Sequence, residues 1–271
     1  MSSETKSDFF ANHGTKSRHP IWRRYWKLAR VVDAAADLRI ALPLLALRHA
    51  ARKIPPQRVL IAAVEVPGRE ADLRDVVTNM SRTMRHHVTV ATQKMQPRGK
   101  FDNIAAAIAD RDLADFDWLL ITDDDVKLPR DFLDLLIYFA HTYDLKLAQP
   151  AHRFRSYSSA QLIVRRWATL VRHTLFVENG PITLIHKDAF PHVLPFPSLR
   201  WAWGIDVYWS HIARQQGWRL GVIDGLPTMH WRPVGNSYDQ QAARKEAEDF
   251  LHEKGVTLSR REITSVNHRL A

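Results

Sequence analysis

Two apolar runs constrain this chain more than any other feature: Val59-Leu-Ile-Ala-Ala-Val64 and Trp118-Leu-Leu-Ile-Thr122, neither interrupted by a charge. A strand with one wet face alternates apolar and polar residues, whereas a run apolar at every position needs cover on both faces. That requirement is met in parallel sheets wrapped by helices. The intervening sequence supplies the helices. Periodicity predicts a helix from Glu70 to about Arg85, a strand over Val88–Thr92 and a helix from about Asn103 to Asp110. After the strand at 117–122 come a helix over Arg130–His141 and a strand over Lys146–Gln149. Strands alternating with helices predict an α/β fold with a mostly parallel sheet.

The region from Ala151 to Trp203 is less regular, rich in aromatic and basic residues, and contains the Pro-rich stretch Phe190–Pro197. It reads as a segment built for binding. A helix over Asp206–Gln216, a strand over Arg219–Ile223 and a polar helix over Tyr238–Lys254 complete the expected elements. Ile54-Pro55-Pro56 breaks the helical pattern upstream of the first strand. The boundary falls there, dividing a helical N-terminal extension, 1–57, from a catalytic-sized domain, 58–271.

The 271 residues carry a net charge of +10, unevenly placed. Residues 1–58 hold 12 Lys and Arg against 4 Asp and Glu, so eight of the ten net charges lie there and the body is almost neutral. Trp22, Tyr25, Trp26, Ala29, Val32 and Ala36 recur at helical steps with Arg23, Arg24, Lys27 and Arg30 mainly between them. Such a basic, aromatic helix suits an anionic membrane surface, here through residues 20–53, and equally suits packing on the body with its basic face in water. The uncharged run Ile40–Leu47 contains Pro43 and is far short of the roughly 20 apolar residues of a spanning helix. The polar opening MSSETKSDFFANHG lacks an apolar signal region. The expected location is cytoplasmic, with a peripheral position on the inner membrane face if the helix binds lipid. The absence of cysteine excludes disulfides, thiolate metal ligands and thiol nucleophiles.

Chemistry concentrates where the second apolar run ends in Asp123-Asp124-Asp125. Ligands of open α/β sheets bind beyond the carboxyl ends of strands. Adjacent carboxylates repel, and a divalent cation relieves the repulsion. Along an extended chain Asp123 and Asp125 share a face while Asp124 turns away, which makes Asp123 and Asp125 the candidate metal grip. The other reading is an acidic turn capping the helix after Pro129.

The run WLLITDDDV at 118–126 resembles the DxD strand of GT-A-fold, family-two-like glycosyltransferases. RVLIAAVEVPGR at 58–69 resembles their first nucleotide-binding strand, and GKFDNIAAAIA at 99–109 the helix after the second strand. WAWGID at 201–206 is similar to the acceptor-side motif of the galactosyltransferase branch, except that Ile205 replaces a Glu. TMHWRPVG at 228–235 corresponds to the last-strand metal segment, with His230 as third ligand. The resemblance covers about residues 58–240. It implies a GT-A (Rossmann-like) fold and Mn²⁺ or Mg²⁺ held by Asp123, Asp125 and His230. The implied donor is a nucleotide-diphosphate sugar and the acceptor a glycan or lipid-linked hydroxyl.

For such chemistry Asp206 is the candidate base, although an acid opening a helix is equally explained as a cap. Glu178 is the runner-up base or an acceptor-binding group. Lys100 is placed to reach the diphosphate, as is Arg232, and Glu65 to reach the base or ribose; a solvated basic turn and an exposed strand-end acid are the alternatives for Lys100 and Glu65. Trp201, Trp203, Trp209 and Trp231 flank these residues, either to stack on a sugar or to pack the core. A metal-dependent phosphohydrolase and a basic nucleic-acid-binding protein are the competing classes. The first normally needs more ligands than this set supplies. The second is disfavoured by the neutral body, and no nucleic-acid partner is expected.

Overall fold

The structure, a computed structural model, describes residues 20–158, 160–232 and 239–271. The polar opening segment and Tyr238 therefore lie outside the described residues, as do the side chains of Trp22, Arg23, Arg24 and Trp26. In chain order the elements begin α1 (Pro20–Ala51), β1 (Arg58–Glu65), α2 (Glu70–Met80), β2 (His87–Lys94), α3 (Lys100–Ile108), β3 (Trp118–Thr122) and β4 (Val126–Lys127). They continue with α4 (Phe132–Thr142), β5 (Leu145–His152), β6 (Arg172–Thr174), β7 (Ile182–His186), α5 (Phe190–Val193) and α6 (Ile205–Gln216). The last are β8 (Arg219–His230), α7 (Gln240–Glu253), α8 (Arg260–Ser265) and β9 (Asn267–Arg269).

The strands form one sheet in the order β2-β1-β3-β7-β5-β8-β6-β9, with β4 paired to β8. Along that path β1, β2, β3, β5, β8 and β9 run one way and β7 and β6 the other. The fold is thus α/β with a mostly parallel sheet flanked by helices. Side chains alternate across it as the two-residue period requires. Leu60, Ala62, Leu119 and Ile121 face Phe101, Ile104, Trp209 and Phe250 on one side. Val59, Ile61, Trp118 and Leu120 face Val76, Phe132 and Leu136 on the other. Both faces being covered accounts for the unbroken apolar runs.

Several elements differ from the sequence expectation; α3, for one, starts at Lys100 rather than near Asn103. The helix begun at Glu70 ends at Met80, because Thr83 Oγ1 accepts hydrogen bonds from the amides of Arg85 and His86 and turns the chain. The last central strand does not stop at Ile223 but runs through Gly225 and Pro227 to His230. The irregular region contains β7, an antiparallel strand in the middle of the sheet.

Helix α1 is continuous through Pro43 and lies against the body. Ala36, Ile40 and Ala51 are buried, and Leu44 and Leu47 pack on the α4 side of the core. Its two acids point inward. Asp37 pairs with Arg165 and Arg153, each at 2.7 Å, and Asp33 accepts the Phe154 amide at 3.2 Å.

Candidate active site

The site is assembled by strand register. β3 delivers Asp123, whose amide donates to Pro181 O at 2.8 Å, and β4 then pairs antiparallel with the end of β8, Val126 opposite His230. Extending β8 to His230 is what brings that imidazole to Asp125: Nε2 and Oδ2 are 3.0 Å apart, both groups buried. Burial opposes protonation of His230, but the Asp125 hydrogen bond and charge, helped by Asp123 and Glu178, raise its pKa overall.

Asp123 and Asp124 diverge as an extended chain demands. Asp123 Oδ1 contacts Lys100 Nζ at 2.6 Å, and that ammonium also donates to Asn179 O at 3.3 Å. Lys100 is the first residue of α3. The Gly99 before it admits no side chain, since a Cβ there would stand 2.0 Å from Leu199 O. Asp124 is buried and turned the other way, between Arg69 at 3.7 Å and Arg232 at 3.3 Å. Burial and the neighbouring Asp125 push its pKa up against those two cations.

Behind Asp125 and His230 stands a second group. Glu178 is buried, its amide bonded by Gln149 Oε1, and its Oε2 lies 3.9 Å from His152 Nε2. His152 is fully enclosed, with Nδ1 3.0 Å from Tyr157 O, and burial, reinforced by His230, lowers its pKa to about 3. A neutral ring bonded to a carbonyl through Nδ1 carries its proton there and leaves the unprotonated Nε2 on the Glu178 side. Asp206 is buried on α6. Burial, and then the charge of Glu178, raise its pKa to about 7. Its Oδ1 accepts the Val207 amide at 2.9 Å. Asp206 is not the N-cap, which is Gly204 at a left-handed φ of 87°; it lies inside the first turn and there takes a free helix amide.

The structure thus brings Asp123, Asp125, His230, Glu178 and Asp206 to the carboxyl-end side of the sheet. Lys100 joins them through Asp123. Arg232 does not: its guanidinium is bound to Asp72 at 2.5 Å and Asp124, and stacks 3.9 Å from the Trp231 ring centre. Glu65 ends β1 and accepts from Thr92 Oγ1 at 2.6 Å. Trp209 is a core residue, edge-on to Phe101, while Trp201 and Trp203 are half-buried in the loop before Asp206. His152, Gln149 and Asn179 escaped the sequence reading. The strand expected to stop at Gln149 runs on to His152, and no periodic signal marked the remainder.

Among the described residues no group of three or more His, Asp or Glu side chains stands at cation-ligating spacing. The Asp125–His230 pair is chemically suited to a divalent cation all the same. Two donors at adjacent corners of an octahedron, each about 2.1 Å from a small cation, are about 3.0 Å apart. The observed separation matches that edge as well as it matches a hydrogen bond.

No protein-family profile and no curated protein matches this chain. Among solved structures it is similar to the catalytic domain of Drosophila β1,4-galactosyltransferase 7 in complex with xylobiose, at 15% identity over 70% of this chain and 79% of that one, TM-score 0.47. A mutant of that enzyme with manganese, UDP-Gal and xylobiose matches at 14% identity, 70% and 79% coverage, TM-score 0.45. Protein A197 from STIV matches at 15% identity, 65% and 86% coverage, TM-score 0.41. At such scores these likenesses define neither family nor activity.

Proposed function

We propose that the chain is a metal-dependent glycosyltransferase of the GT-A fold, moving a sugar from a nucleotide-diphosphate donor to a hydroxyl of a glycan or lipid-linked acceptor. The observation that carries this reading is the meeting of Asp125 and His230 with a separate carboxylate pair, Glu178 and Asp206, at the strand ends. Asp125 and His230 are the residues that would hold Mn²⁺ or Mg²⁺, with Asp123 contributing through water or the donor ribose. When bound, the cation neutralises charge on the departing nucleotide diphosphate.

Asp206 is the base. A carboxyl with a pKa of about 7 is balanced between its two states near neutral pH, where it can take a proton from an attacking hydroxyl. Direct attack on the anomeric carbon assisted by this base gives inversion. Burial, and then the charge of Glu178, keep Asp206 basic, and Glu178 offers an acceptor for a sugar hydroxyl. Lys100, at the N-terminus of α3, exchanges its pairing with Asp123 for a donor phosphate, and Gly180 keeps that crevice open: a Cβ there would come within 3.2 Å of Lys100 Nζ. Glu65 serves the ribose or base at the end of β1. Arg232 reaches phosphate only by leaving Asp72. The protein works in the cytoplasm.

The deciding experiment is a thermal-shift series of nucleoside diphosphates with and without Mn²⁺. Ligand binding to the folded state raises the melting temperature, so a shift requiring both components is expected. No shift with any nucleoside diphosphate, or one indifferent to chelator, overturns the reading.

A further inference from the structure

Helix α1 has two apolar faces, only one of which the described residues of the body cover. Ala36, Ile40, Leu44 and Leu47 turn inward. Leu28, Val31, Leu38, Leu42 and Leu45 also recur at helical spacing, but with 3.6 residues per turn they fall on the opposite side, and all are exposed. Leu38 keeps 78% and Leu42 77% of its surface in water. An unbroken stripe of this kind on a folded helix is expensive to leave in solvent.

The charges beside the stripe identify what covers it. Asp33 and Asp37 are the helix's only acids, and both are drawn inward to Arg153, Arg155 and Arg165. The outward charges are therefore basic: Lys27, Arg30 and Arg39 are exposed, followed by Arg52 and Lys53 just past the helix. A second copy of the chain laid on this face would oppose like charges with no acid of α1 to pair them. An anionic lipid surface supplies both an apolar layer for the leucines and negative headgroups for the basic rim.

We propose that the outward face of α1 docks on an anionic bilayer, the helix lying in the plane of the interface. No helix of the described residues is long and apolar enough to cross a membrane, so the contact is peripheral. Packing on the body and binding lipid, which the sequence leaves as alternatives, become the two faces of one helix. This inference stands apart from the glycosyltransferase reading, and binding alone tests it.

The test is co-flotation of the full chain with phosphatidylcholine vesicles, with and without phosphatidylserine, for the native protein and the variant Leu38→Asn/Leu42→Asn. The native protein is expected to float only with phosphatidylserine vesicles, with binding weakened by salt. The variant, at an unchanged melting temperature because both side chains are exposed, is expected to bind about tenfold more weakly or worse. Binding by the variant equal to native, no binding by either, or a native dimer in sedimentation that the variant dissolves would each overturn the proposal.

Discussion

Asp125 and His230 lie 105 positions apart in the chain and 3.0 Å apart in the fold. The two-residue strand β4 makes that contact by setting Val126 opposite His230 in the ladder. If the pair is the cation edge proposed above, Asp125→Ala loses the Mn²⁺-dependent part of the thermal shift with a nucleoside diphosphate. Asp124→Ala, on the opposite face, keeps it. An Asp125→Ala protein showing the full metal-dependent shift would remove the pair from the site.

Asp206 makes the sharpest pH prediction. Its folded pKa of about 7 lies above the ordinary 3.8, so the unfolded chain ionises first as pH rises. Stability is therefore lost between about pH 4 and 7, by at most roughly 4 kcal/mol, and levels off above. Asp206→Asn has no proton to lose and still offers Oδ1 to the Val207 amide. Its melting temperature is expected to exceed the native one at pH 8 and to approach it at pH 4, while transfer falls by about 10²-fold or more. Native-like activity in the Asn variant would dismiss Asp206 as base; equal melting curves at pH 8 would dismiss its buried carboxyl.

A buried ion pair holds the far side of the sheet. Arg172 Nε and Asp224 Oδ2 are 2.7 Å apart with both side chains fully enclosed, and Asp224 also accepts the Arg166 amide. Removing one partner strands a charge in the interior, so Arg172→Ala is expected to cost about 3–5 kcal/mol in denaturant titration. A loss under about 1 kcal/mol would mean that water reaches the pair.

The same pair shows why parts of the fold were hidden in the sequence. β1, β3 and the acidic triplet were legible because strand periodicity and the repulsion of adjacent carboxylates are local. β8 was not legible past Ile223: Asp224, Gly225 and Pro227 are strand breakers by composition, and Asp224 is acceptable inside a sheet through Arg172, 52 residues away, and the Arg166 amide. β7 was missed because five residues following Pro181 carry too little pattern among aromatic and basic neighbours. His152 was missed with the end of β5, and so was the neutral imidazole beside Glu178. Helix α1 was recognised as amphipathic, but which of its faces met the body depended on Arg153 and Arg165, more than 100 positions downstream.

That dependence gives the last prediction. The Arg165 side chain is 1% exposed, and its carboxylate partners Asp33 and Asp37 both come from α1. The segment they hold continues into Ser156 and Tyr157, which bond the backbone of His230, and Tyr157 O fixes His152. Asp33→Ala/Asp37→Ala therefore strips a buried guanidinium of both its ion-pair partners next to the candidate site, at a cost of about 3–5 kcal/mol. Adding Arg165→Met removes the stranded charge and should recover part of that loss, as expected for residues whose effects are coupled. Denaturant midpoints of the double and triple variants measure both terms. Additive losses with no recovery would mean that α1 merely covers the body; recovery would show that its two acids also neutralise the segment that positions His152 and His230.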